Sequence, residues 1–200
     1  NAHEEQASQA LAEWSPFSSE KIHQEIFRGS LKERFDKGEM TPESFWKAAK
    51  ARIHAMNASP NFAQFSSVWG DIFIEQIGIE RILKRIDHAI ELFFVANTNN
   101  LHWKYLRELK IMQGFFGEPR QLILSHQYGC TTSQSALHSK AMRQTKCDKD
   151  RILYVDTLPQ PINIFKGLGG TTLLHNPDQE TSVDLIKKLQ RFNVINTTKT

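Results

Sequence analysis

Alternation of short apolar runs with helical periodicity places this chain in the α/β class, with a parallel sheet. Three observations predict it. The runs 92–95, 121–124, 152–155 and 171–174 each have the length and apolar content of a strand buried on both faces. The first three stop abruptly in small or polar residues, at 96–100, 125–129 and 156–157. Helical spacing then resumes, as in βα units joined by right-handed crossovers. Open sheets of this kind keep their ligands at the carboxyl ends of the strands, so these three loops are where chemistry is expected.

Taken in order, the chain opens as a helix over 1–14, with Ala7, Ala10, Leu11 and Trp14 on one face. Ser15 and Pro16 break it. Phe17 and Ile22 staple a helix capped by Ser18, which carries Ile26 and Phe27 inward and ends at Gly29. Thr41 as N-cap and Pro42 at the first helical position start the next, with Phe45, Trp46, Ala49 and Ile53 inward. From Asn61 to Ile77 a helix is expected, because Phe62, Phe65, Val68, Trp69, Ile72 and Phe73 recur at three and four. After Gly78, the residues Ile79, Ile82, Leu83 and Ile86 make one more. The strand 92–95, the loop 96–100 and a helix through Leu101, Tyr105 and Leu109 follow. The later strands alternate with helices over 134–145 and around Ile162, Phe165 and Leu168. Thr181 and Asp184 form a capping box for the last helix, with Val183, Ile186 and Leu189 inward.

Two hundred residues, 40% of them hydrophobic, suffice for one sizeable core, or a core with a small lobe. The net charge of +3 is scattered without a run of like charges, which argues against nucleic acid as a partner. Cys130 and Cys147 show neither zinc-ligand nor disulfide spacing, so a reducing, cytoplasmic setting is expected. No apolar run approaches the roughly 20 residues that cross a bilayer, and no signal peptide is visible, so a soluble chain is expected.

The run Ala96-Asn97-Thr98-Asn99, followed by His102 and Trp103, resembles the second motif of the haloacid dehalogenase superfamily in its helical-cap branch, which reads Ser-Asn-Thr-Asn. Phe35 to Trp46 is similar to the cap of that branch. Ser125, His126 and Gly129 match its third motif, and Asp156 its fourth. The likeness runs from about Phe17 to Leu189. It implies a Rossmann-like core over 79–200, an α-helical cap over 16–78, and a core helix over 1–15. It also implies phosphoryl chemistry through an aspartate nucleophile on a first, central strand, with Mg²⁺ held by acidic residues.

The departures from the pattern lie at the chemical positions. No Asp-x-Asp follows a buried strand, so the first central strand is absent from this sequence. Ala96 stands where the phosphate-binding hydroxyl belongs, Thr132 where the lysine belongs, and Thr157 where a second acid belongs. What the resemblance leaves is Asn97, Thr98 and His126 as substrate-binding candidates and Asp156 as a metal ligand. Each has a plainer reading: Asn97 and Asn99 satisfy loop backbone, His126 packs, and Asp156 caps a helix.

The expected function is therefore a catalytically degenerate domain with a binding or scaffolding role and no cofactor. The alternative is a truncated, Mg²⁺-dependent phosphohydrolase acting on a small phosphorylated metabolite. Either way, an upstream segment or a protein partner is expected to complete the sheet.

Overall fold

The computed structural model describes residues 3–56 and 60–195. Positions 1 and 2 of the expected first helix lie outside them. Contacts divide the chain into two compact units. The first comprises Asn1–Ile74, Ala96–Gln113 and Leu124–Thr131, and the second Glu75–Val95, Gly114–Ile123 and Thr132–Thr200.

The first unit is helical because its caps and apolar stripes agree. Helix α1 (Glu4–Ala12) buries Ala7 and Leu11. Helix α2 (Ser19–Ile22) is capped by the Ser18 hydroxyl, which accepts the Lys21 N–H, and continues as a π turn over His23–Phe27. Helix α3 (Ser30–Asp36) buries Leu31 and Phe35 together with the acidic Asp36. Helix α4 (Pro42–Arg52) starts at Thr41, whose hydroxyl accepts the Ser44 N–H. Helix α5 (Phe62–Gly70) opens on a reciprocal box between Asn61 and Gln64. An aromatic cluster joins them. The Phe35 and Phe45 rings stack at 4.2 Å, and Phe45 lies 4.6 Å from Trp69.

Helix α5 stops at Gly70, seven residues before the expected end. At this last residue the packing admits only glycine, since a Cβ at Gly70 would fall 2.4 Å from the Tyr105 ring. Beyond it Ile72 is buried as non-helical chain, and its carbonyl accepts the His3 N–H.

The second unit holds α6 (Ile79–Leu83) and most of the strands. Strand β1 (Phe94–Ala96) is followed by α7 (Asn100–Leu106) and α8 (Lys110–Phe115). Strand β2 (Leu122–Leu124) leads into α9 (Ser125–Tyr128), one helical turn where a loop was expected, closed by Gly129 at φ 68°. Then come α10 (Ser135–Thr145), β3 (Leu153–Asp156), α11 (Pro159–Gly167), β4 (Thr171–Leu174) and α12 (Ser182–Gln190). The capping box of Thr181 and Asp184 forms as expected. On α12, Leu185 and Leu189 are buried, whereas Val183 faces outward at 54% exposure, because the helix turns its 185/189 stripe to Ile82, Leu173 and Ile195.

Among the described residues the four strands form two pairs, β1 with β2 and β3 with β4. The second pair is parallel, with Leu153 opposite Thr171 and Asp156 opposite Leu174. Strand β1 is only half-buried rather than enclosed on both faces, since a strand with one neighbour leaves its other edge open. Tyr154 packs with Met142, Ile162 and Phe165, and Val95 lies against the same cluster. No helix among the described residues is long and apolar enough to cross a membrane.

Candidate functional site

Ala96, Asn97, Thr98 and His126 fall in the first unit, and Thr132, Asp156 and Thr157 in the second. In the first unit the loops after β1 and β2 turn their polar groups on each other. Ser125, fully buried, is the centre. Its Oγ accepts the Thr98 N–H at 2.9 Å and lies within hydrogen-bonding reach of two carbonyls, Asp36 at 2.6 Å and Thr98 at 2.8 Å. Thr98 is itself fully buried. Asn97 is exposed, and Ala96 is half-buried at the end of β1.

Asn99 takes two tasks. Its Oδ1 accepts the His102 N–H at 3.0 Å and so caps α7, while its Nδ2 donates to Asp36 at 2.8 Å. The other Asp36 oxygen accepts the Lys32 ammonium at 2.6 Å. A buried carboxylate thus has a cation and an amide as partners, the condition for keeping a charge away from water. Asn99 Nδ2 also lies 3.0 Å from His102 Nδ1. The His102 ring stacks on Trp69 at 5.3 Å and meets the edge of Phe73. Burial holds this imidazole well below the ordinary histidine range, and the Lys32 charge pushes the same way.

His126 is half-buried, with Nδ1 3.2 Å from the Thr98 carbonyl. Burial lowers its pKa, opposed by that carbonyl and by the Asp36 charge. The structure therefore joins Thr98 to His126 through backbone, and both to Asp36, a residue that the sequence reading did not single out. The signal was present: Lys32 and Asp36 stand four apart on one helix face, next to the Gly38 turn.

In the second unit Asp156 ends β3. Its Oδ1 accepts the N–H groups of Thr157, at 2.6 Å, and Leu158, at 3.0 Å. Its Oδ2 accepts the Tyr154 hydroxyl. Tyr154 sits two residues back, on the same face of the strand. Burial, then Asp156, raises the Tyr154 pKa strongly. Thr157 is exposed, and Thr132 is buried with its carbonyl 2.7 Å from His138 Nε2.

A second polar group at this end of the strands came only from the structure. His175, next after β4, is 4% exposed and bonds through its N–H to the Asp156 carbonyl. Its Nδ1 lies 2.9 Å from Glu180 Oε2, while Lys188 holds the other Glu180 oxygen and the Leu174 carbonyl. The Lys188 bond, followed by the Asn176 N–H, lowers the Glu180 pKa.

No family model matches the sequence, and no curated protein matches it. Solved structures do. The chain is similar to a predicted HAD-like family hydrolase from Porphyromonas gingivalis, with 16% identity over 95% of this chain and 91% of that one, at a TM-score of 0.77. It is also similar to a HAD family enzyme from Bacteroides thetaiotaomicron. The wild-type complex of that enzyme with magnesium and inorganic phosphate matches at TM-score 0.69 and 14% identity, covering 92% of this chain and 91% of that one. Its aspartate-to-alanine mutant, in complex with the same two ions, matches at 0.73 and 15% over the same shares. Likeness at this level of identity shows the fold, and the fold of this chain is HAD-like.

Proposed function

We propose that this HAD-like domain binds rather than turns over, and that an extended segment of polypeptide completes its sheet as part of a scaffolding role. The observation that carries the reading is the state of Asp156. Magnesium favours an octahedron of oxygens built from one or two carboxylates, waters and substrate phosphates. Here the carboxylate of Asp156 already accepts two N–H groups and a phenol, which use three of its roughly four lone-pair sites. Among the described residues no three His, Cys, Asp or Glu side chains gather around a common point. The donor set does not fit the ion. Thr98, the remaining hydroxyl of the loop after β1, is buried beneath Ser125 rather than presented to a ligand.

The open sheet supports the binding half of the reading. Val95 of β1 and Tyr154 of β3 share one apolar cluster without their strands being paired, and Val155 is 40% exposed. An extended apolar segment would cover that surface and satisfy the free edges.

Turnover of p-nitrophenyl phosphate with Mg²⁺ tests the proposal against the alternative, a phosphohydrolase acting on a small phosphorylated metabolite. The expected rate equals the uncatalysed blank, for the unaltered chain and for Tyr154→Phe, which frees one Asp156 oxygen. Turnover that Asp156→Asn abolishes would overturn the reading in favour of the hydrolase.

A further inference from the structure

A cleft of about 310 Å³ within the second unit has no part in the candidate site. Leu83 ends α6, Leu92 comes just before β1, Phe115 ends α8 and Gln121 comes just before β2. All four line the cleft, so it lies at the amino ends of the two strands. Ile86 and Ile90 complete its apolar wall. These two, like Leu83, Leu92 and Phe115, are only half-buried, which leaves apolar surface around one hollow.

The wall is fixed before any ligand arrives. Ile86 pairs with Ile195 in an antiparallel bridge, and the Asp87 N–H donates to the Val194 carbonyl at 3.1 Å. Gln121 Nε2 donates to the Leu92 carbonyl at 2.9 Å, while its Oε1 accepts the Glu118 N–H at 3.1 Å. The charges of the wall are not balanced. Lys84 already has an acid, Glu80, and His88 is exposed. Asp87 is half-buried, its Oδ1 accepts the Ala89 N–H at 2.9 Å, and no cation pairs with its carboxylate among the described residues. A carboxylate drawn partly out of water beside apolar surface lacks the partner that would offset its desolvation.

We infer that this cleft binds a small arylalkyl amine, with the ring against the apolar wall and the ammonium on Asp87 Oδ2. An apolar cavity of about 150 Å³ holds benzene. The 310 Å³ here has room for a ring and a short chain. An anionic ligand would instead meet the Asp87 charge.

Titration of 2-phenylethylamine into the ¹⁵N-labelled whole chain at about pH 7.5, where the amine keeps its proton, tests the site. Amide shifts should saturate and centre on 83–92 and 114–121. 2-Phenylethanol, the same ring without the charge, should bind at least about tenfold more weakly, and 3-phenylpropionate should not bind. Asp87→Asn keeps the acceptor for the Ala89 N–H, so the turn is retained. This variant should weaken the amine about tenfold and leave the alcohol unchanged. The comparison of amine with alcohol needs no variant and serves if Asp87→Asn fails to fold. Equal affinity for the two, or tighter binding of the carboxylate, would overturn the assignment. So would shifts centred elsewhere, no saturable shift at all, or an unchanged amine affinity in the folded variant.

Discussion

At His102 and His126 burial has decided the charge state. Both imidazoles are held neutral in the fold, because desolvation penalises the protonated form more than the nearby acceptors favour it. In the unfolded chain a histidine takes up its proton near pH 6.5. The sign follows: the folded pKa values are depressed, so the stability linked to these residues is complete above about pH 6.5 and is lost as the pH falls towards those values. Urea melts should give similar unfolding free energies at pH 8 and 7. The free energy should then decline between about pH 6.5 and 5.5, by up to about 1.4 kcal/mol per pH unit for the buried His102 and by less for His126, which solvent screens. His102→Gln should remove its share of that decline, and an unchanged slope in the variant would contradict the assignment. The sequence offered His126 as a substrate contact or a packed residue and His102 only as part of a motif, and nothing local told which would be desolvated. The stack of His102 on Trp69 and the bond of His126 to the Thr98 carbonyl join positions 33 and 28 apart, beyond the reach of any periodicity.

Elements whose limits depend on neighbours in sequence were legible, and those set by distant packing were not. The caps at Ser18, Thr41 and Thr181 follow from a hydroxyl three residues before an orphan N–H, and each forms as its residues imply. The end of α5 does not follow from its apolar stripe, which continues past Gly70. Beyond it the chain is tied down over a long range instead, with the Ile72 carbonyl accepting the His3 N–H, and the Tyr105 ring occupies the space into which a side chain at Gly70 would project. Gly70→Ala should therefore destabilise the first unit by about 1–3 kcal/mol, despite the better helix propensity of alanine. Gly70→Ala combined with Tyr105→Leu should recover part of the loss, because the clash is with the ring. Chemical denaturation of both variants measures this, and additive losses would place the strain elsewhere. The loop after β2 was misread for a related reason. Ser125 to Tyr128 has too few residues for a helical period to show, yet forms one turn with its first side chain buried.

For the whole molecule, the α/β order was readable because four apolar runs fix four strands, but a list of strands does not say which edges are filled. Two-stranded parallel pieces are weak on their own, since each strand leaves half of its ladder unpaired. The geometry of β3 identifies that half. The Thr171 N–H donates to the Ile152 carbonyl and the His175 N–H to the Asp156 carbonyl. In a parallel strand alternate residues face opposite neighbours, so Leu153 and Val155 present their backbone groups away from β4. In the isolated chain the Val155 amide should exchange quickly for a residue in a strand, while the Asp156 amide, on the β4 side, stays protected. When the extended segment is in place, in the assembly purified from its native source, Val155 should slow by about a hundredfold and Asp156 by much less, as an edge amide gains a partner. Further peptides in the same polypeptide would identify the segment as its own, and a second chain in the purified assembly would identify a partner. Protection of Val155 already complete in the isolated chain would mean that the edge is closed by other means, and the sheet would then have no vacancy to fill.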